Sequence, residues 1–592
     1  MQAYMWRGRL ELRAAMGLGL MAAMLGLSLA ADAAMAGKKE SSPDFGQNVM
    51  VFNPSMPATA IQEQINRVYA VQQHNEFGPE RNALLFLPGE YKVDVPIGFY
   101  TEAIGLGATP DAVHIMGNVH SDANWKDNAT TTFWKAAEGF SVTPMGGPAP
   151  GTMQWAVSQA VPFRRMHVLG SMVLNQNHGW ASGGWMSDTL VDGNVGSGTQ
   201  QQWISRNSEW GSWTGANWNM VFVGVLHPPE GDWPKPPYTK VARTPVVREK
   251  PFLDVDAKGR WSVRVPSLAH DSAGITWRGG STPGKSIPLS RFYVAHAGVD
   301  TAATMNAQLD AGKNLLLSPG IYELAEPIRV SRPDTVVMGL GFATLKPVKG
   351  TAAMTTADVD GVIVAGLLFD AGETISPVLL EVGPAGSKAS HARNPISLHD
   401  VFFRVGGAGV GNTKVNLLIN ANDTIVDHTW IWRADHGKGV GWNQNLSANG
   451  MVVNGNNVTV YGLFVEHHQE FQVLWNGNGG RTYFFQSEIP YDPPDQASWT
   501  SAAGTNGWAS YKVADGVTSH ETWGLGIYSV FRHPDVVLSR AIEVPRTPNV
   551  KFHHMITVAL DNLGEISNVI DDVGGPTKTG RPRVEPKVTD FP

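Results

Sequence analysis

Two glutamates in one aromatic-rich stretch have the residue type and the spacing for acid–base chemistry. Glu466 and Glu488 lie 22 residues apart between Phe464 and Pro494. A coil of a β-solenoid takes roughly 20 to 30 residues, so this spacing predicts carboxylates one coil apart, at a strand separation of about 4.8 Å. Two carboxylates that close cannot both ionise freely, so the pKa of one is expected to rise. A carboxylic acid that stays protonated near neutral pH can protonate the oxygen of a glycosidic bond.

The same two glutamates can be interpreted structurally, as a surface ladder on stacked coils. Their aromatic neighbours favour a binding site: Phe464, Phe471, Trp475, Tyr483, Phe484 and Tyr491. His467 and His468 are adjacent on a strand and point to opposite faces, so we expect no metal-ligand pair there and no cofactor. The Gly-rich run 476–480 lacks the Lys-Ser/Thr of a phosphate-binding loop, which indicates a turn.

A second polar cluster lies in the first half of the chain. It contains Gln159, Ser182 and the consecutive amides Gln200, Gln201 and Gln202. Such groups can hold a sugar or a water, and they can equally cap β-helix turns as stacked ladders. Six of the 20 tryptophans also fall between residues 180 and 218. This concentration suits a carbohydrate groove, although core packing is the default for any single tryptophan.

An internal repeat organises the elements that must position these residues. Residues 83–93 read ALLFLPGEYKV and residues 314–324 read NLLLSPGIYEL, with the two Pro-Gly pairs 231 residues apart. Self-similarity on this scale indicates a duplicated domain. Upstream of each copy, 61–68 and 305–309 are expected to form a short helix that plugs the end of a β-helix.

Within each half the strands are short and end at Gly, Asn or Asp turns. Three segments align in the second half: VIVAGLLFD from Val362, TIVDHTWIW from Thr424 and VTVYGLFVE from Val458. Each reads as a short strand, a one-residue kink and a second short strand, the pattern of successive coils of a parallel β-helix. Two-residue hairpin turns of a β-sandwich are rare, and the chain shows no four-stranded period of a propeller. The predicted fold is therefore all-β, with two parallel β-helices.

Length and composition set the limits of the function. The chain has 592 residues, too many for one core, and its 42% hydrophobic and 16% charged residues describe a globular protein. A net charge of −7 argues against a nucleic-acid partner. Without cysteine, disulfides, thiol catalysis and Cys-ligated zinc are excluded. We expect a monomer.

The chain divides into five predicted segments. Arginines 7, 9 and 13, an apolar run over 14–30 and the A-x-A site at 34–36 predict a signal peptide over 1–36 and a secreted protein, extracellular or periplasmic; a retained membrane anchor is the alternative. The first β-helix domain is expected over 37–277, a Gly/Ser/Pro-rich linker over 278–290 and the second β-helix domain over 291–573. The polar tail 574–592 is expected to be loosely held.

Taken together, the motifs resemble those of the family 55 glycoside hydrolases, which are exo-acting β-1,3-glucanases with tandem right-handed parallel β-helices. The resemblance rests on EHH at 466–468, QSEIPY at 486–491, WGLGIYS at 523–529, Trp155 with Gln159, SGGWMSD at 182–188, and Gln201-Gln202. These motifs span both halves and most of the mature chain. The resemblance implies two such helices packed side by side and a laminarin-like glucan as substrate.

The resemblance also implies a division of roles. Glu488 resembles the general acid that protonates the leaving oxygen, and Glu466 the carboxylate that raises its pKa and orders the site. Gln159 and Ser182 resemble the groups that position the attacking water, with Ser187 as the alternative to Ser182.

Four further residues are predicted to bind substrate. Trp432 aligns with Glu466 in the strand pattern and is expected to form a stacking wall, as is Tyr491. Gln201 and Gln202 are expected to contact the sugar.

The stereochemical outcome presents a conflict. Carboxylates about 5 Å apart indicate a retaining enzyme by the general separation rule, whereas the resemblance implies inversion. Stacking on one flank would place both carboxylates on the same side of the sugar, which favours inversion. Two other hypotheses stay open: a glycosidase of this architecture acting on another glycan, and a non-catalytic adhesin or tailspike-like glycan binder. A pectate-lyase-type enzyme is disfavoured because no calcium-binding Asp cluster stands out.

Overall fold

Short strands separated by single-residue bends form two parallel β-helices, as predicted. The computed structural model describes residues 43–501, 504–561, 563–577 and 583–592, so the signal peptide predicted over 1–36 lies outside the described residues. Across the described part of the chain, no helix is both long and apolar enough to cross a membrane.

The second β-helix contains the sheet that carries both glutamates. We call it the second docking sheet, and its strands, in sheet order, are Phe292–Ala295, Asn314–Leu317, Val336–Pro347, Ile363–Asp370, Ser397–Val405, Ile425–Arg433, Thr459–Glu466, Gly480–Glu488, Ser519–Ser529, Asn549–Ala559 and Lys587–Phe591, with Ile321–Leu324 beside Val336–Pro347. The opposite sheet contains Ile328–Val330, Met354–Thr356, Ser376–Val382, Thr413–Ile419, Ser447–Val453, Val473–Trp475, Tyr511–Val513 and Ile542–Glu543. A small sheet pairs Val537–Leu538 with Glu565–Ile566.

The predicted one-residue kinks are present and keep the coils in register. Gly366, His428 and Gly462 have φ of 65°, 75° and 63° at the kink positions of the three aligned segments. This left-handed conformation bends the strand, and each kink residue is skipped in the pairing of its strand with the next coil. Because every coil bends at the same position, side chains beyond the bend stack from coil to coil.

The first β-helix is built in the same way. Its first docking sheet contains Val49–Phe52, Asn82–Phe86, Thr101–Gly105, Lys135–Glu138, Pro162–Arg164, Trp185–Ser187, Gln202–Arg206, Asn219–Val223 and Tyr238–Val241. The opposite sheet contains Gly89–Tyr91, Asp94–Pro96, Val113–His120, Ser141–Pro144, Thr152–Gln154, His167–Val168, Ser171–Val173, Leu190–Gly196 and Glu209–Thr214.

Both predicted helices are confirmed. Ala58–Gln72 buries Ile61 and Ile65 in the core of the first β-helix. Ala302–Asp310 begins with a capping box between Thr301 and Thr304 and buries its apolar residues in the core of the second. Each helix thus covers apolar residues near the start of its β-helix.

Antiparallel strands connect the two β-helices. Thr244–Val247 pairs with Ala269–Ser272, and Trp261–Pro266 lies between Phe252–Val255 and Gly284–Pro288. Gly284–Pro288 falls in the segment predicted as a linker, so that segment contributes a strand. Residues Asp256–Arg260 form a turn in which the Asp256 carboxylate accepts from the backbone N–H groups of Lys258 and Arg260.

The C-terminal segment is held more firmly than its composition predicts. Lys587–Phe591 pairs antiparallel with Asn549–Ala559 at the edge of the second docking sheet. The expectation of a loosely held tail is wrong for these residues, because backbone pairing to an exposed sheet edge does not depend on apolar side chains.

The two docking sheets pack face to face through apolar and ionic contacts. Aromatic and aliphatic residues of both form one buried cluster, which includes Trp185 and Val221 from the first and Phe402 and Tyr461 from the second. A buried ion network joins the same sheets. Arg164 contacts Asp400 and Asp427, each at 2.8 Å, and Arg206 contacts Asp427 at 2.9 Å. These contacts fix how the halves face each other, and the predicted site lies at that junction.

Candidate active site

A cavity of about 240 Å³ opens between the two β-helices. The residues that line it are Thr130, Thr131, Phe133, Gln159, Ser182, Gln201, Trp432, Asp435, His436, Glu466, His467, Glu488, Tyr491 and Leu560. The cavity therefore brings together all four predicted catalytic residues with three of the four predicted substrate-binding residues.

The two glutamates occupy equivalent positions on neighbouring strands. Glu466 ends Thr459–Glu466, Glu488 ends Gly480–Glu488, and the two are directly paired in the register. Trp432 pairs with Glu466 in the coil before, and Tyr528 pairs with Glu488 in the coil after. The predicted one-coil spacing of the carboxylates and the alignment of Trp432 with Glu466 are confirmed.

Three hydrogen-bond donors surround Glu466. Its Oε1 accepts from Gln159 Nε2 at 2.8 Å and from Gln486 Nε2 at 2.7 Å, and its Oε2 accepts from Trp430 Nε1 at 2.8 Å. Burial is the main cause that raises the pKa of Glu466 to about 7. The hydrogen bonds act to lower this pKa, and the negative charge of Asp435 acts to raise it. Donors aimed at both oxygens favour the ionised carboxylate.

Glu488 has the opposite environment. Desolvation, the neighbouring carboxylate of Glu466 and the charge of Asp435 together hold the pKa of Glu488 well above its usual range. The pKa is thus raised at both glutamates where a rise at one was predicted, with burial rather than the neighbouring charge as the largest cause. Tyr491 donates its hydroxyl proton to Glu488 Oε2.

A polar chain connects the first β-helix to Glu466. Ser182 Oγ donates to Gln159 Oε1 at 3.3 Å and lies 3.0 Å from Ser158 Oγ, and Gln159 donates onward to Glu466. Gly183 allows the loop after Ser182 in the first β-helix to come close to Phe464 in the second. Its φ is 130°, and a Cβ there would lie 2.9 Å from the Phe464 ring. The cavity thus has donors and acceptors on one wall and a pair of glutamates on the other.

Comparison with known proteins places this site in a family. The LAM55 pectate lyase-like domain model matches residues 292–488, a segment that ends at Glu488. The exo-beta-1,3-glucanase of Streptomyces sp. (strain SirexAA-E / ActE) is 47% identical over 553 residues, which cover 93% of this chain and 90% of that protein. This chain belongs to family 55 of the glycoside hydrolases.

Solved structures agree with that family assignment. The structure of sacteLam55A from Streptomyces sp. SirexAA-E has a TM-score of 0.90 and 46% identity, and covers 93% of this chain and 99% of that chain. A variant of sacteLam55A in complex with glucose matches with the same values. The tandem β-helix architecture is therefore shared along nearly the whole matched length.

Two predicted residues of this family 55 site lie outside the cavity lining. Gln202 donates from Nε2 to the backbone carbonyl of Ser182 at 3.2 Å, so it positions the Ser182 loop. Ser187, the alternative to Ser182, accepts from Arg164 at 2.9 Å and from the Trp185 ring nitrogen at 3.1 Å. Its hydroxyl belongs to the ion network, and Ser182 is the serine that faces the cavity.

The two predicted stacking residues differ in their surroundings. Trp432 lines the cavity but is only 1% exposed. Its ring lies parallel to Phe77 at 6.2 Å and to Trp430 at 4.8 Å, and Phe133 packs against it. Trp432 therefore belongs to an aromatic wall of the cavity. Tyr491 lies beside Glu488, with its ring against that of His467.

Asp435 and His436 line the cavity and were missed by the sequence-based prediction. Burial opposes ionisation, but the hydrogen bond from His436 and the proximity of His467 lower the pKa of Asp435 to about 2. Burial likewise disfavours the charged form of His436, yet Asp435 and Glu76 raise its pKa to about 10. The sequence feature that could have identified both residues is their position just after Ile425–Arg433, the strand that aligns with the strand of Glu466.

Proposed function

We propose that this protein is an exo-acting β-1,3-glucanase that cleaves laminarin-like glucans, with Glu488 as the general acid. The observation that carries the proposal is the pair of adjacent glutamates in unlike surroundings. Glu466 accepts three hydrogen bonds, whereas burial and the charges of Glu466 and Asp435 hold the pKa of Glu488 well above its usual range. The similar Streptomyces protein is named an exo-beta-1,3-glucanase, and the paired acids supply what cleavage of a glycosidic bond requires.

The proposed reaction begins with proton transfer from Glu488 to the leaving oxygen. The bond between the anomeric carbon and that oxygen breaks, and a water held by Gln159 and Ser182 attacks the anomeric carbon from the wall of the first β-helix. The proton that this water loses passes to solvent, from which the Glu488 carboxylate is protonated again. Among the described residues that line the cavity, every carboxylate (Asp435, Glu466 and Glu488) comes from the second β-helix. Attack opposite the acid supports inversion of the anomeric centre, although the carboxylate separation alone favours retention.

The shape of the cavity supports attack at a chain end. The aromatic wall of Phe133 and Trp432 is backed by Phe77, whose ring is parallel to Trp432. A flat aromatic wall offers the face of a sugar ring a surface on which to stack. We therefore propose that the terminal glucose lies against this wall and that the rest of the chain leaves on the Glu488 side.

Product analysis tests the proposed reaction. The mature protein is incubated with laminarin while reducing ends and product sizes are followed, and NMR records the anomer released first. Glucose or short products appearing as the α-anomer would support exo-cleavage with inversion, and β-anomer would contradict inversion. Binding without turnover of any glucan would favour a glycan-binding adhesin, and turnover of another glycan alone would change the substrate.

We also propose that the protein is exported and acts as a monomer. The arginine-rich start and apolar run at residues 7–30 support export. Fractionation of cells expressing the full chain tests it, with N-terminal sequencing of the exported form; a start at residue 37 is expected. Light scattering of the purified protein tests the monomer, and a dimer mass would contradict it.

A further inference from the structure

A second cavity, of about 450 Å³, lies where the antiparallel connecting strands meet the second β-helix. It shares no lining residue with the cavity of the two glutamates. The charged side chains among its lining residues are Arg248, Lys285, Arg393 and Asp334. Cations therefore outnumber carboxylates in its wall, although the whole protein has a net charge of −7. Such a local excess of one charge raises the local concentration of ions of the opposite sign.

Arg248 is the buried cation of this wall. It is only 7% exposed, and its guanidinium donates to two neutral acceptors. Nη1 donates to the backbone carbonyl of Pro395 at 3.1 Å and Nη2 to Asn394 Oδ1 at 2.7 Å, whereas Nε has no partner within the described parts of the chain. Burial lowers the pKa of Arg248, and the negative charge of Asp334 offsets only part of that effect.

Two other buried arginines show how this protein usually accommodates such a charge. Arg164 pairs with Asp400 at 2.8 Å, and Arg81 lies 3.6 Å from the centroid of the Tyr100 ring. Among the described residues, Arg248 has neither a carboxylate nor an aromatic ring as its partner. Because an unpaired buried charge is costly, an anion that enters the cavity and pairs with Arg248 would stabilise the folded chain.

The one carboxylate in the wall does not neutralise the cavity. The Asp334 side chain is 54% exposed; its Oδ1 accepts from Asn394 Nδ2 at 2.9 Å and lies 3.9 Å from Lys285 Nζ. An exposed ion pair of this kind is screened by solvent and contributes little. Lys285 and Arg393 are both exposed, so their side chains are free to turn toward a ligand.

We propose that this cavity binds a phosphate or sulfate group, either as a free ion or as a substituent of a polysaccharide. The planar guanidinium of an arginine matches two oxygens of such a group, and a lysine adds a point charge. The volume lies in the range of small-ligand sites and leaves room for the sugar that carries the group. Because Lys285 belongs to the connecting strands and Arg393 to the second β-helix, the bound group links the two.

Thermal denaturation in the presence of oxyanions tests the site. The wild type is heated in about 10 mM phosphate or sulfate, which mostly fills a site of millimolar Kd, and in chloride of equal ionic strength. We expect Tm to rise by about 1–3 °C with either oxyanion and to level off as the site fills. The Lys285→Gln/Arg393→Gln variant should lose this rise, since it removes two exposed cations without disturbing the core.

Dextran sulfate and neutral dextran are the second pair of ligands. They distinguish a group carried by a polymer from a free ion, because only the first polymer carries the charge. Arg248→Gln should abolish the response as well, and the double variant decides should this buried substitution prevent folding.

Arg67→Gln/Lys92→Gln is the matched control. It removes the same charge from two exposed positions in the first half of the chain. Its Tm should respond to the oxyanions as the wild type does, whereas a general salting-out effect would stabilise both double variants alike.

The outcomes separate the two sources of the ligand. A rise with phosphate or sulfate that the cavity variant lacks would support a free oxyanion, and such a rise with dextran sulfate alone would support a polymer-borne group. No rise with any of these ligands, or an equal rise in the cavity variant, would overturn the site. Because stability is measured and not turnover, failure of the proposed glucanase function would leave this result unaffected.

Discussion

At the scale of single residues, the site separates two chemically identical side chains by their surroundings. Glu466 receives three hydrogen bonds, whereas Glu488 accepts one from Tyr491 and faces the charge of Glu466. The hydrogen bonds favour the carboxylate of Glu466, although burial still raises its pKa to about 7, and the surroundings of Glu488 favour the carboxylic acid. Environment, rather than residue type, therefore supports the proposed role of Glu488 as the acid.

The Glu488→Gln variant tests whether Glu488 protonates the leaving group, by comparing substrates whose leaving groups differ in their need for a proton. We expect kcat for laminarin to fall by about 10²- to 10⁴-fold, the usual contribution of a general acid. An aryl β-glucoside with an acidic phenol needs no proton to leave, so its hydrolysis should fall much less. Steady-state rates on both substrates make the comparison, with Glu326→Gln at an exposed site as control. An equal loss on both substrates would contradict a role in leaving-group protonation.

Replacing Glu466 by Gln tests the coupling between the carboxylates. The negative charge of Glu466 raises the pKa of Glu488, so its removal should lower that pKa. The alkaline limb of the kcat profile, where Glu488 loses its proton, should therefore move to lower pH. The acidic limb of the same profile, which we expect from protonation of Glu466 with its pKa of about 7, should disappear. A profile that keeps its shape and loses only amplitude would contradict the coupling.

The sequence could predict one wall of the site better than the other. The spacing of Glu466 and Glu488 follows from the length of a coil, so their adjacency could be derived from the residues alone. Gln159 and Ser182 lie about 300 residues from their partner in the chain, and only the family resemblance connected them to it. Asp435 followed an aligned strand, but nothing local distinguishes it from an ordinary turn aspartate.

At the scale of secondary-structure elements, the repeated bend is what places both glutamates on one edge. Each long strand of the second docking sheet, from Val336–Pro347 to Asn549–Ala559, turns at a left-handed residue, a conformation that costs an L-residue with a Cβ about 1–2 kcal/mol. At Gly462 the bend also brings the chain against the other β-helix, because a Cβ there would lie 2.5 Å from Trp185. Glycine at this position serves both the backbone conformation and the approach of the halves.

Gly462→Ala is therefore expected to destabilise the protein. The left-handed conformation and the contact with Trp185 together should lower the free energy of unfolding by about 2–4 kcal/mol. Gly516→Ala is the control, because a Cβ at Gly516 has no atom within 4 Å. Thermal denaturation of both variants measures the difference. A Gly462→Ala protein as stable as the control would show that the two docking sheets can move apart at this point at little cost in free energy.

Strand patterns predicted the second β-helix more fully than its connections. The kinks at Gly366, His428 and Gly462 were readable because each sits between two apolar half-strands. The strand Gly284–Pro288 was not, since its residues are mostly exposed and its pairing partner lies elsewhere in the chain. The strand Lys587–Phe591 was missed for the same reason, because backbone pairing at a sheet edge does not require a particular amino-acid composition.

At the scale of the whole molecule, the proposed catalysis requires that the two β-helices stay aligned. Gln159 and Ser182 come from the first and Glu466 and Glu488 from the second. The buried ion network holds this alignment. Burial alone would raise the pKa of Asp427, but the guanidinium groups of Arg206 and Arg164 hold it well below the usual range.

Removing the central carboxylate should loosen the junction. Asp427→Ala removes one of the two carboxylates that pair with each of Arg164 and Arg206, and breaking a buried ion pair usually costs about 3–5 kcal/mol. The exposed pair Arg329–Glu326 provides the control, since Glu326→Ala should cost about 0–1 kcal/mol. Thermal denaturation and laminarin turnover are measured on both variants. Because the site spans the junction, turnover in Asp427→Ala should fail at a lower temperature than in the control.

The pH dependence of stability supplies an independent test of the same network. The pKa of Asp427 is lowered on folding, so its ion pairs stabilise the protein fully above the unfolded-state pKa of about 3.9. That stabilisation is lost progressively as the pH falls below this value, because Asp427 is then protonated in the unfolded chain but still ionised in the folded one. The wild type should therefore lose thermal stability between about pH 4 and pH 2 more steeply than Asp427→Ala. Parallel curves for the two proteins would mean that the network is held by packing and not by its charges.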